Sequence, residues 1–204
     1  MIPRSRPRTT TVEALLLALS VVCATLAAPG DVVRAHDVAE QSPPPHSELF
    51  TLTTLDGRTV TDESYRGKWL VIYFGYTFCP DDCPTTLSSI GAALEAIGPL
   101  ADKVQPLFIT TDPARDKAPV MTAYLKAFDP RIIGLRGAPE QIDGAAKQFH
   151  VHYRLQRFAD GGYGFDHTGF LYLVNPEGKL AARLELGEKR PGQQLADELR
   201  KLVK

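Results

Sequence analysis

The sequence predicts an α/β domain in which helices cover a central mixed β-sheet, and three observations carry that prediction. Trp69-Leu-Val-Ile-Tyr-Phe74 is an unbroken apolar run, the mark of a strand buried on both faces. The stretch after it repeats apolar residues at helical spacing, at Leu87, Ile90, Leu94 and Ile97. A second apolar run, Val104 to Thr110, follows, so strand and helix alternate as in a βαβ unit.

Taken in chain order, the first element is a hairpin. Phe50 to Val60 sets strand-forming residues on either side of Asp56-Gly57, a turn dipeptide, and so predicts an N-terminal β-hairpin extension. Pro84 suits the first turn of the helix that reads from Thr85 to Ile97. Beyond the second strand, Pro119 to Phe128 reads as a helix, Ile132 to Leu135 as a short strand and Pro139 to Phe149 as another helix. Phe170 to Val174, the Asn175-Pro-Glu-Gly178 turn and Lys179 to Glu185 make an antiparallel hairpin, and a closing helix runs from Gln193 to Leu202. A βαβ unit, then a β-hairpin, then a last helix is the order of a thioredoxin-like domain. No internal repeat or low-complexity block interrupts it.

With 204 residues, 44% of them hydrophobic and 23% charged, the chain can bury one full core and carry an extra segment. A net charge of −1 offers no basic field for phosphates, so no nucleic-acid partner is expected. Arg4, Arg6 and Arg8 precede an uncharged run from Ala14 to Pro29, which reads as an export signal ending at Val33-Arg-Ala35 or Thr25-Leu-Ala27, or as a retained membrane anchor. Cys23 lies inside that run. It follows Val21-Val22 rather than the small residues of a lipoprotein processing site, and reads as a passenger. Three regions are therefore expected: a signal or anchor at 1–35, a tether at 36–47 stiffened by Pro43-Pro44-Pro45, and a folded domain at 48–204. Without residues 1–35 the net charge moves from −1 to −3.

The chemistry concentrates in Phe74-Gly-Tyr-Thr-Phe-Cys79-Pro-Asp-Asp-Cys83-Pro84, where the first apolar strand gives way to a helix. Free N–H groups at a helix start favour the thiolate, so Cys79 and Cys83 read as reactive. Open α/β sheets bind their ligands at this end of the strands. Two thiolates prefer soft ions, and one imidazole completes a Cys2His set suited to Cu(I) or Cu(II). Structural zinc fits less well, because it closes its shell with a fourth protein ligand. His167 is the preferred imidazole, in an expected loop just before the strand Phe170 to Val174, with Asp166 beside it to orient the ring. His150 and His152, alternating on an expected strand, read as solvent-facing or hydrogen-bonded, and His36 and His46 as solvated residues of the tether. The same two thiols can form a labile, redox-active disulfide. A purely structural bridge is disfavoured, because so short a loop constrains the unfolded chain little. Asp81 and Asp82 either raise the thiol pKa values or cap the following helix.

Together with Thr111-Asp-Pro-Ala-Arg-Asp116 and Asp166-His167-Thr168, the cysteine motif resembles the Sco/SenC family over roughly residues 48–204. The resemblance implies a thioredoxin-like copper protein, exported or membrane-anchored, that helps assemble the binuclear copper centre of cytochrome c oxidase. It implies copper ligands at Cys79, Cys83 and His167, and a loop and helix start at Asp112, Pro113, Arg115 and Asp116. Asp82 stands where the family often has an apolar residue. The implied partners are the copper-bearing subunit of the oxidase and a copper donor or thiol reductant, and the implied location is the bacterial periplasm or the inner membrane facing it. The expected function is thus a copper metallochaperone. The alternative is a thiol–disulfide reductase that keeps the oxidase cysteines reduced, with Cys79 attacking and Cys83 resolving. A peroxidase-type relative is disfavoured because nothing marks a peroxide pocket.

Overall fold

The computed structural model describes residues 48–204. The expected signal or anchor and the tether lie outside the described residues. Two short strands open the domain, β1 (Thr51–Thr54) and β2 (Thr59–Thr61), paired antiparallel around the expected turn. Gly57 sits there at φ +91°, a left-handed conformation that favours glycine. The chain then runs through β3 (Trp69–Gly75), α1 (Asp82–Ala96), β4 (Val104–Thr110), α2 (Ala118–Leu125), β5 (Ile133–Arg136) and α3 (Pro139–Gln148). It continues with β6 (Tyr153–Arg157), β7 (Tyr163–His167), β8 (Phe170–Val174), β9 (Leu180–Glu185) and α4 (Pro191–Leu202).

The main sheet has the order β2-β1-β5-β4-β3-β8-β9. β3 is central, parallel to β4 and antiparallel to β8, so the sheet is mixed. Every β3 residue except Trp69 is buried, which explains its unbroken apolar run. Its side chains alternate between two cores. Val71 and Tyr73 pack with Leu87, Ile90 and Leu94 of α1 and with Leu195 and Leu199 of α4. Leu70, Ile72 and Phe74 pack with Ile142 of α3 and with Phe149. Each such Leu or Ile contributes about 1.5–3 kcal/mol through burial. The architecture is thioredoxin-like, a mixed sheet with helices on both faces and the β3–α1–β4 unit at its centre. No helix among the described residues is long and apolar enough to cross a membrane.

The largest departure from expectation is a second sheet, the hairpin of β6 and β7, which hydrogen-bonds to no strand of the main sheet. β6 is exposed along nearly its whole length and therefore lacks the apolar pattern of a core strand. The expected strand for His150 and His152 is displaced as well. Both residues precede β6 and are exposed, with His150 at φ +54° just after α3. The cysteine helix begins three residues earlier than read, at Asp82, so Cys83 falls inside its first turn.

Candidate metal centre

β3 ends at Gly75, and the loop that follows is tied down by its own backbone and by buried neighbours. Thr111 donates its N–H to the Gly75 carbonyl at 2.8 Å, and Cys79 donates its N–H to the Tyr76 carbonyl at 3.2 Å. Thr77 donates both its N–H and its hydroxyl to Asp116, at 3.1 and 2.5 Å. Asp116 is fully buried and also accepts from the Thr110 hydroxyl at 2.6 Å. Burial raises its pKa, and these hydrogen bonds only partly offset that.

Cys83 is fully buried and Cys79 is partly exposed, and both thiols are free. Cys83 donates its N–H to Cys79 Sγ at 3.4 Å, and the Tyr73 hydroxyl donates to Cys83 Sγ at 3.5 Å. Glycine at position 75 has a steric reason. A Cβ there would lie 2.8 Å from Cys83 Sγ and 2.9 Å from the Phe108 ring. Beside the dithiol opens a cleft of about 320 Å³, lined by Tyr73 and by the carboxylates of Asp81, Asp82, Glu185 and Glu188.

His167 arrives from the other sheet. It is the last residue of β7, opposite Tyr153, and not a loop residue as expected. Its Nε2 lies 3.7 Å from Cys83 Sγ, and its Nδ1 lies 3.2 Å from the Thr168 carbonyl oxygen. A carbonyl only accepts, so Nδ1 carries a proton, and in the neutral ring the lone pair of Nε2 faces the sulfurs. Tyr73 and Tyr76 meet the ring edge-on, with centroids at 6.2 and 6.0 Å. Asp166 does not orient the ring. Its exposed carboxylate faces Arg154 at 3.5 Å, and the orienting group is the backbone of Thr168. The donor atoms of Cys79, Cys83 and His167 all lie within 4.8 Å of one another. Among the described residues, no other group of three or more such side chains comes together, and His150 and His152 take no part in this one.

The two thiols are shifted in opposite directions, chiefly by the hydrogen bond between them. Cys79 is pushed down to about 4, chiefly because the Cys83 thiol donates to it, with burial opposing and His167 and the Cys83 and Asp81 N–H groups assisting. Cys83 is pushed up, by sharing its proton with the Cys79 thiolate and by burial. Of the two, Cys79 is the one favoured as thiolate. For His167, burial disfavours the charged ring, but the Cys79 thiolate, the Thr168 carbonyl and the charge of Asp82 outweigh it and raise its pKa. Asp81 holds the N-cap position of α1 without a side-chain capping hydrogen bond.

Two contributors carry no distinct mark in the sequence. In the sequence Tyr73 reads only as core, although its place on the same face of β3 as Val71, toward α1, puts it beneath Cys83. Arg115 reads as loop architecture, yet its guanidinium lies over the Phe78 ring at 4.7 Å, next to Cys79.

Comparison with known proteins places this geometry in context. A family model described as SCO1/SenC matches residues 38–204. Protein sco1 of Schizosaccharomyces pombe is 42% identical over 135 residues, which cover 64% of this chain and 51% of the relative. Protein SenC of Rhodobacter capsulatus is 39% identical over 128 residues, covering 63% and 58%. The chain spans about half the length of the curated relatives it matches. Among solved structures, ScoI of Bradyrhizobium japonicum with copper bound superposes with a TM-score of 0.69 at 39% identity, covering 77% of this chain and 98% of that one. Arabidopsis thaliana ScoI with copper bound gives 0.70 at 35% identity, covering 77% and 96%.

Proposed function

Because this chain belongs to the SCO1/SenC family, we propose that it is a copper metallochaperone that carries one copper ion on Cys79, Cys83 and His167 and hands it to the binuclear copper centre of cytochrome c oxidase. The observation that carries this reading is the convergence of two sulfurs and one imidazole nitrogen within 4.8 Å, a soft donor set matched to copper. Relatives whose solved structures hold copper support it.

Loading requires both sulfurs as thiolates and a free imidazole nitrogen. Cys79 already meets that requirement, and Nε2 of His167 faces the sulfurs with Nδ1 occupied by Thr168. Cys83 gives up its proton as the metal arrives. Three ligands leave copper under-coordinated, so an incoming thiolate of the recipient can bind before the chaperone's own ligands leave, and no free ion is released. Cys83 is sealed from solvent while Cys79 and His167 are partly exposed, so exchange proceeds from the Cys79 and His167 side. The four carboxylates lining the adjoining cleft favour the approach of a cation. We further assign residues 1–35 to an export signal or anchor and 36–47 to a tether. This places the domain in the periplasm or on the membrane facing it, where an oxidase subunit and a copper donor or thiol reductant are its partners.

The unequal thiols favour a second activity on the same atoms. The Cys79 thiolate attacks one sulfur of a target disulfide, forming a mixed disulfide and releasing the first target thiolate. Cys83 then gives up its proton and attacks Cys79 Sγ, which expels the second target sulfur and leaves a Cys79–Cys83 disulfide. Two electrons pass from the dithiol to the target. Titrating the reduced protein with copper separates the two readings. The chaperone reading expects one copper with thiolate charge-transfer bands, binding weakened at least about a hundredfold by His167→Ala, and dithiol exchange largely spared in that variant. Absence of copper binding by the reduced wild-type protein overturns it.

A further inference from the structure

We propose that Arg115 is a positioning residue, a latch that holds the hairpin carrying His167 in register with the dithiol. The inference rests on the copper-binding reading of Cys79, Cys83 and His167. β6 and β7 share no backbone ladder with the main sheet; His167 is joined to β8 through Thr168 and Gly169, and at the far end of β7, where Tyr163 lies, side-chain contacts fix the strand's direction relative to the cysteines.

Arg115 makes contact with both parties. Its Nη1 donates to the Tyr163 carbonyl at 2.9 Å, and its guanidinium stacks on the Tyr163 ring at 3.7 Å. Tyr163 is the first residue of β7, four residues before His167. On its other side the guanidinium faces Phe78 at 4.7 Å and Tyr76 at 5.8 Å, both in the cysteine loop. Nε donates to the buried carboxylate of Asp112, and the Tyr163 hydroxyl donates to Asp112 Oδ1 at 3.3 Å, so Arg115 is itself held in place. The next residue, Asp116, grips Thr77 two positions before Cys79. The five residues from Asp112 to Asp116 therefore fasten the cysteine loop through Asp116 and the histidine strand through Arg115.

The lever is long enough to matter. Four residues of strand span about 13 Å and β8 holds the chain just beyond His167, so a shift of about 1 Å at Tyr163 turns the strand by about 5° and swings the imidazole by roughly 0.4 Å. Metal–ligand distances tolerate only about 0.2 Å. Arg115 also keeps one buried nitrogen, Nη2, without a hydrogen-bond partner, so its full donor set is not what holds it there. Lysine would keep the charge and lose both the fork and the stacking plane.

The test is a double-mutant cycle on the full chain, read as copper affinity and as the thiolate charge-transfer spectrum, with the dithiol reduction potential and the urea midpoint measured alongside. Arg115→Met should weaken copper binding by about 10- to 100-fold, with Arg115→Lys failing to restore it, while the dithiol potential stays where it is. In a His167→Ala background Arg115→Met should change copper affinity by less than about twofold, because the imidazole it positions is gone. Tyr163→Leu, which removes the stacked ring and its hydroxyl but keeps the carbonyl, should act in the same direction and less strongly. It stands in if Arg115→Met does not fold. An equal loss in both backgrounds overturns the latch. So does wild-type affinity in Arg115→Met beside a weakened His167→Ala. Undiminished copper binding in His167→Ala overturns the ligand set itself, and the latch with it.

Discussion

The cysteine loop and the β6–β7 hairpin bring their donor atoms to one point by opposite means. The loop leaves the central strand of the sheet, is tied through backbone hydrogen bonds to Tyr76 and Thr111, and ends in the first turn of α1, which buries Cys83. The hairpin stands outside that sheet, exposes most of β6, and is held by aromatic and charged side chains. Tyr76 packs edge-on to Phe165 at 5.5 Å, Tyr153 bonds to Asp143, and Arg115 bonds to Tyr163. The contrast teaches a division of labour. A stiff dithiol is set by the central strand and its helix, and an imidazole is set by side-chain contacts at the rim of the core, Tyr76 among them.

That contrast can be broken most severely at the sulfurs. Cys83→Ser should abolish tight copper binding, measured by competition with a chromophoric Cu(I) chelator, because a hydroxyl is a hard and neutral substitute for a soft thiolate. Nearly as large an effect is expected in the reactivity of the unmetallated protein. With Cys79 held at about 4, its alkylation rate should stay flat from about pH 8 down to about pH 5 and fall only as pH nears 4. A thiol at the ordinary value of 9.0 would instead lose about tenfold per pH unit over that range. A slope of that size in the folded protein would show that the two thiols are alike.

Next in size is the floor of the loop. Gly75→Ala places a methyl group 2.8 Å from Cys83 Sγ and should cost about 1–3 kcal/mol, read from the urea midpoint. Tyr73→Phe removes the hydroxyl that donates to Cys83 Sγ. It should shift copper affinity by less than about tenfold, in keeping with a hydrogen bond worth about 0.5–1.5 kcal/mol. Smallest is Arg154→Ala on the exposed face of the hairpin. Its pair with Asp166 at 3.5 Å is open to solvent, so stability should change by less than about 1 kcal/mol and copper affinity not at all. Set beside Arg115→Met, it asks whether any arginine of this region matters or only the one that bridges to the cysteine loop.

The same two regions divide what could be read from sequence. Trp69 to Phe74 announced itself because a strand buried on both faces must be apolar throughout, and Cys79 and Cys83 followed from its end. β6 and β7 did not, because Arg154, Gln156 and Arg157 face water and leave no continuous apolar run. A signal was nonetheless present. Asp160-Gly161 is a turn dipeptide with Tyr153, Leu155, Tyr163 and Phe165 around it, and Gly161 adopts φ +86°. The orientation of His167 was beyond reach for another reason. Its partner is the Thr168 backbone carbonyl, a group every residue carries, so Asp166 looked the better candidate. Arg115 was visible as part of a motif, but its bond to Tyr163 joins residues 48 apart, a contact that exists only after folding.

The central claim is that folding turns a distant imidazole into the third ligand of a dithiol-bound copper. X-ray absorption at the copper edge of the Cu(I)-loaded protein tests it most directly. The account expects two sulfur scatterers and one nitrogen with the outer-shell pattern of an imidazole, and the loss of that pattern in His167→Ala. A spectrum with two sulfurs alone, the same in wild type and variant, would contradict it.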